Sequence, residues 1–274
     1  MNKGVRSLLD IVWYVFVFVL IQTAIQAIAA GIYAYMNDIG FDVIAKRMQT
    51  GQYGELQAIT AVVSSFVTLL LFTLLKWAPV SRNWLSSRPW SVIIWSSLLA
   101  VGVILPTEWI YEQLQITIPE QTTALFEGVM KEPWGYIAVG IFVPIAEEAV
   151  FRGAILRTLL NLFDRRWHWF PIVISALIFG IIHMNLAQGI HAFVIGLLLG
   201  WMYYRTHSII PGIVLHWINN TVAYIMFNMM PQLADGKLID LFHGDDRMMY
   251  MGLGFSLCIL LPSLFQLAVR MKRE

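Results

Sequence analysis

Long apolar runs separated by short polar segments organise this chain from one end to the other. They lie at about 11–35, 58–75, 90–110, 134–162, 168–183, 189–204, 208–229 and 248–269. About 20 apolar residues carry an α-helix across a bilayer, and the runs are of that order. None shows the period-two alternation of a barrel strand, and an open sheet would leave backbone groups unpaired in lipid. The pattern predicts an all-α membrane protein, a polytopic bundle of about eight transmembrane helices. The first run is too long for the apolar segment of a cleaved signal peptide and lacks a cleavage site, so it reads as a span. No internal repeat or low-complexity stretch stands out, and 1–274 reads as a single polytopic domain.

Composition agrees with this and adds direction. The chain is 58% hydrophobic and 13% charged, where soluble domains carry about 25% charged residues. A net charge of +1, with no basic stripe, argues against nucleic acid as a partner. The lone Cys258 lies in an apolar run, which excludes an internal disulfide and disfavours a thiolate nucleophile. With the amino terminus inside, the inner side holds Lys3, Arg6, Lys76, Arg82, Arg88, Arg157, Arg165, Arg166, Arg205, Arg270, Lys272 and Arg273. The outer side then holds Lys46, Arg47, Lys131, Lys237 and Arg247. Twelve against five predicts both termini on the cytoplasmic side. Two outer segments are acidic, one with Glu112, Glu120, Glu127 and Glu132 and one with Asp235, Asp240, Asp245 and Asp246, and they read as solvated loops. Trp90, Trp109, Trp134 and Trp169 fit an aromatic belt.

Some polar residues fall where lipid should be. Glu147, Glu148 and Arg152 sit well inside the fourth run, and an ionisable group within a span, costing about 3 kcal/mol on insertion scales, marks a functional site by default. On a helix Glu148 and Arg152 share a face and can pair. Glu147 is turned about 100° away and is left without a partner, although a buried structural clasp of all three is the plainer alternative. His183 closes the fifth run, and His216 and Asn220, one turn apart, share a face of the seventh, with Asn219 facing elsewhere. Measured by helical rise from the loops below, Glu147 lies about 25 Å up, His183 about 22 Å, Asn220 about 20 Å and His216 about 14 Å. Tilt absorbs such differences, so the groups can meet.

A carboxylate partly withdrawn from water suits a general base, and Glu147 with His183 could hold and deprotonate a water. His216 and Asn220 offer donors for a carbonyl oxygen becoming an oxyanion. Activated water plus oxyanion donors amounts to amide hydrolysis. The chain has no His-Glu-x-x-His, no Gly-x-Ser-x-Gly elbow and no Gly-x-Gly-Asp in a span. A zinc ion held by His183, His216 and Glu147 is the alternative. Against it, no His-x-x-x-His pair builds half a site on one helix, and an asparagine is a better oxyanion donor than a zinc ligand.

Glu147-Glu148-x-x-x-Arg152, Phe179-x-x-x-His183 and His216-x-x-x-Asn220, in that order along the chain, resemble the three motifs of the CPBP intramembrane proteases. That family takes in type II CAAX prenyl endopeptidases and bacteriocin-processing and self-immunity (Abi-like) proteins. The resemblance covers about 134–224, a catalytic core preceded by three accessory spans and followed by one. It implies that Glu147 and His183 activate water and that His216 and Asn220 bind the oxyanion; Glu148 and Arg152 match its remaining motif positions, and their spacing assigns them a supporting structural pair. It also implies a membrane-associated peptide or protein substrate, lipidated or not, in a multi-pass protein of a prokaryotic plasma membrane. The expectation is a metal-free enzyme with no cofactor, zinc being the alternative. The rival class is a non-enzymatic scaffold, immunity partner or transporter component, although a transporter would show paired halves. Gln188 and His191 read as groove-lining or, equally, capping residues, and Gly196 with Gly200 as a close-packing pair.

Overall fold

The computed structural model describes residues 3–79, 84, 86–230 and 237–271. Arg82, Asp235, Lys272 and Arg273, placed in loops or at the terminus above, lie outside them. The described chain is helical throughout, without a strand. In order come α1 (Lys3–Asn37), α2 (Phe41–Gln49), α3 (Gly54–Leu74), α4 (Trp90–Gln113), α5 (Glu120–Met130), α6 (136–160), α7 (Trp169–Ile181), α8 (Leu186–Thr206), α9 (Ile210–Met229) and α10 (Asp246–Arg270). Two 3-10 turns, Arg165–Trp167 and Leu238–Phe242, join α6 to α7 and lead into α10. Each of the eight apolar runs is a helix, and α1, α3, α4, α8, α9 and α10 are long and apolar enough to cross a membrane.

Large apolar side chains face outward along these helices, Val12, Trp13 and Phe16 on α1 and Phe255, Leu261 and Phe265 on α10 among them. Such a surface is stable only where the surrounding solvent is lipid. This is an integral membrane protein.

The two largest buried clusters divide the bundle. One joins α1, α3, α6 and α7 through Tyr14, Phe18, Phe72, Phe151 and Phe179. The other joins α4, α8, α9 and α10 through Leu99, Val103, Leu199, Leu215 and Leu267. Small residues allow close helix contact within them. Ser256 Oγ donates to the Gly102 carbonyl at 3.0 Å where α10 crosses α4. A Cβ on Gly196 would stand 3.1 Å from that of Ala176 on α7, so the expected small pair does pack. Arg157 donates to the Trp77 carbonyl beyond the end of α3, and Arg205 to those of Ala268 and Met271 at the end of α10. Cations are favoured there by the carbonyls a helix leaves unpaired at its carboxyl end.

The helix that carries the two glutamates is irregular. α6 runs through a π-helical stretch Tyr136–Phe142, an α-helical stretch Val143–Glu148, a second π-helical stretch Ala149–Leu156 and a final α turn Arg157–Leu160. Pro144 has no N–H to return to the preceding turn and its ring crowds that turn, which accounts for the widened helix ahead of it. Widened turns of this kind recur at functional sites.

α2 and α5 are short helices in segments that read as loops. α2 is anchored by Ile44 and Met48 against Ala30 and Ala34 of α1. α5 lies against α3 and the turn before it, where Gly51, at φ +73°, and Gly54 and Gly128 bring backbones into contact.

Candidate active site

Glu148 is fully buried, and its Oε1 accepts from Arg152 Nη1 at 2.8 Å, one turn along α6. Arg152 Nη2 donates to the Gly196 carbonyl of α8 at 3.3 Å, and the guanidinium lies 4.5 Å from the centre of the Phe179 ring. Three helices therefore hold this cation. The same Glu148 Oε1 lies 3.2 Å from His216 Nδ1 on α9. A carboxylate paired to an arginine accepts only, so the His216 proton sits on Nδ1. Gly212, one turn before His216, is needed for this approach: a Cβ there would stand 2.7 Å from Glu148 Oε2.

Glu147 is not isolated, as the helical geometry suggested. Its Oε2 lies 3.6 Å from His216 Nε2, and its side chain is 13% exposed. His216 thus has one glutamate at each nitrogen. The carboxylate also faces a cavity between α1, α3 and α6, lined by Gln22 and Gln26 from α1 and Ser64 and Ser65 from α3. The first two spans, which carry none of the motifs, supply that wall.

His183 stands two residues beyond the end of α7, not within the helix. Its Nδ1 donates to the Phe179 carbonyl at 2.8 Å, since a carbonyl only accepts. That bond fixes the tautomer and leaves Nε2 with its lone pair. The Phe179 ring packs edge-on to both His183 and His216, at 5.0 Å and 5.9 Å between centroids. The aromatic position of the second motif therefore bridges the two histidines and Arg152. The ion pairs and hydrogen bonds of the described residues join Glu147, Glu148, Arg152 and His216, with His183 reached through Phe179.

Asn220 Nδ2 donates one proton to the Val139 carbonyl at 3.0 Å, which leaves the other free. Its Oδ1 accepts from Asn219 Nδ2, and the same amide lies 3.3 Å from His191 Nε2. Asn219 does not turn away but braces Asn220. The signal that would have found it is adjacency alone, because consecutive helical positions diverge by about 100°. Gln188 belongs to the helix start: Asn185 caps α8 by accepting from the Gln188 N–H and donating to its side-chain oxygen. His191, one turn on, faces Asn219 and the Tyr111 ring. Among the described residues no three His, Cys, Asp or Glu side chains are grouped to hold a metal ion.

All six motif residues fall within residues 130–222, which match the Rce1-like family, described as type II CAAX prenyl endopeptidase Rce1-like. Over this central part the chain is similar to the CPBP proteases, in agreement with its three motifs. It is also 32% identical over 107 residues to the "Putative membrane peptidase YdiL" of Bacillus subtilis (strain 168). That alignment covers 39% of this chain and 43% of the relative, so less than half of either is matched. No solved structure gives a significant match. What marks this chain is therefore a central third carrying every motif, enclosed by helices that the family match does not reach.

Proposed function

We propose that this protein is an intramembrane endopeptidase of the CAAX-protease type, cutting a peptide bond in or near the bilayer of a prokaryotic plasma membrane. Its substrate is a membrane-associated peptide or protein, and a prenylated carboxyl-terminal peptide is the first probe suggested by the family. The observation that carries this reading is the convergence, within the helix bundle, of Glu147 with His216 and the buried Glu148–Arg152 pair.

In the proposed reaction Glu147 takes a proton from water while the water oxygen bonds to the scissile carbonyl carbon, and the lone pair of His183 Nε2 helps hold that water. The carbonyl oxygen becomes an oxyanion. Asn220 meets it with the amide proton not given to Val139, and His216 donates from Nε2 when protonated. As the tetrahedral centre collapses the C–N bond breaks, and the proton held at Glu147 passes to the leaving amine. Glu148 and Arg152 keep His216 oriented, as an acceptor behind a catalytic imidazole does. No metal or cofactor takes part in this reading; a zinc-dependent form using His183, His216 and Glu147 is the alternative.

Purified protein in lipid nanodiscs, incubated with prenylated and unprenylated peptides and followed by mass spectrometry, tests the proposal. The parent should release a defined product, and Glu147→Gln should release none while inserting and purifying normally. Cleavage by Glu147→Gln at the parent rate would sink the mechanism. A parent inert on every probe would favour a scaffold or immunity partner.

A further inference from the structure

The cavity beside Glu147 has a chemistry unlike its surroundings. It measures about 80 Å³, room for several waters at about 10–15 Å³ of accessible volume each, and far below the roughly 300–1,000 Å³ of pockets that take organic ligands. Five of its nine lining residues are polar, Gln22, Gln26, Ser64, Ser65 and Glu147, the rest being apolar. Such groups hold water in place, whereas apolar cavities stay dry. Gln22 and Gln26 are one turn apart on the same face of α1. Gln26 is exposed and Gln22 half-buried, while Ser64 and Ser65 are buried, so polarity runs inward from the α1–α3 seam to Glu147. An amide pair on a mostly apolar lipid-facing helix is costly unless it serves a wet space, whereas Thr23 between them bonds to its own helix backbone.

We propose that this chamber is the water supply of the site: water enters along Gln26 and Gln22, is held by Ser64 and Ser65, and reaches Glu147 from the side away from His216. The inference rests on the hydrolytic reading and deepens it. Each turnover consumes one water, and a site enclosed by lipid-facing helices needs a wet route to replace it. Gln22, Gln26, Ser64 and Ser65 are positioning residues in this account, acting on the nucleophile and not on the substrate.

The test uses the full chain in nanodiscs with Cys258→Ser, the exposed cysteine of α10 being outside the site. Ser65→Cys is treated with 2-aminoethyl methanethiosulfonate and compared with Phe66→Cys, whose parent side chain faces outward, 55% exposed. Ser65→Cys should label at least about ten-fold faster than Phe66→Cys, because only a hydrated thiol forms the thiolate that reacts. Adding Gln22→Leu with Gln26→Leu should slow that labelling. In the peptidase assay the same Leu pair should lower kcat about ten-fold with KM unchanged, since general-base catalysis needs water at the carboxylate. Gln22→Asn with Gln26→Asn should recover most of the turnover. Labelling of Ser65→Cys as slow as that of Phe66→Cys would overturn the chamber whatever the activity. Parent-like turnover in the Leu pair would overturn its link to Glu147. Fast labelling in a parent that hydrolyses nothing would remove the supply role through failure of the peptidase reading, and leave the cavity wet.

Discussion

Arg152 is 1% exposed, and its charge is answered by Glu148, by the Gly196 carbonyl and by the Phe179 face. Removing one member of a buried ion pair leaves the other uncompensated, at a cost of about 3–5 kcal/mol. Arg152→Ala should therefore lower the thermal midpoint and the yield as well as activity; an inactive variant as stable as the parent would move the arginine into chemistry. Asn220 should behave differently, because an oxyanion donor acts only as charge develops. Asn220→Ala should lose about 100-fold to 1,000-fold in kcat with KM nearly unchanged, and a rise in KM at constant kcat would assign it to substrate binding instead. The Glu148–Arg152 pair was legible in the sequence because a spacing of four on one helix is a contact. The His216 contacts with both glutamates were not, because they depend on how α9 lies against α6, and no single-helix periodicity encodes that. Asn219, Gln22 and Gln26 escaped for the same reason: each is polar for the sake of a neighbouring helix.

At the scale of elements, the eight apolar helices were readable because lipid demands a long apolar stretch wherever a helix crosses it, and six of them are long enough to do so. α2 and α5 were not, since each is short and mixed in polarity and is held by its neighbours instead of by propensity. The glycines that seat α5 offer a test. A Cβ on Gly54 would run into the Gly128 carbonyl, so Gly54→Ala should push α5 away from α3 at a cost of about 1–3 kcal/mol. Faster amide hydrogen exchange in residues 120–130, with the spanning helices unchanged, would report it; unchanged exchange would mean the contact yields easily. Nor did the sequence announce the π-helical turns of α6 or the early end of α7. At 13 residues, α7 is about 20 Å long, less than the roughly 30 Å hydrocarbon core. His183 consequently belongs to a turn, where its backbone is not committed to a helical ladder.

For the whole molecule, the site lies where the two buried clusters meet, with α6 and α7 on one side and α9 on the other. That placement bears on the metal question, because a zinc ion would have to draw ligands from both. The metal-free reading expects a parent enzyme that stays active after exhaustive chelation. About one zinc per chain by elemental analysis, lost in His183→Ala or His216→Ala and restoring activity when returned, would overturn it. The motif-bearing third also packs on the rest of the chain. Phe151 packs on Phe18 of α1, Leu199 and Leu215 belong to a cluster completed by α4 and α10, and Glu147 faces glutamines and serines contributed by α1 and α3. A transplant of residues 130–222 into another scaffold would carry all six motif side chains and still lack the surfaces that shelter them. The smallest portable unit of this protein is therefore larger than its signature, and α1 and α3 would have to travel with it.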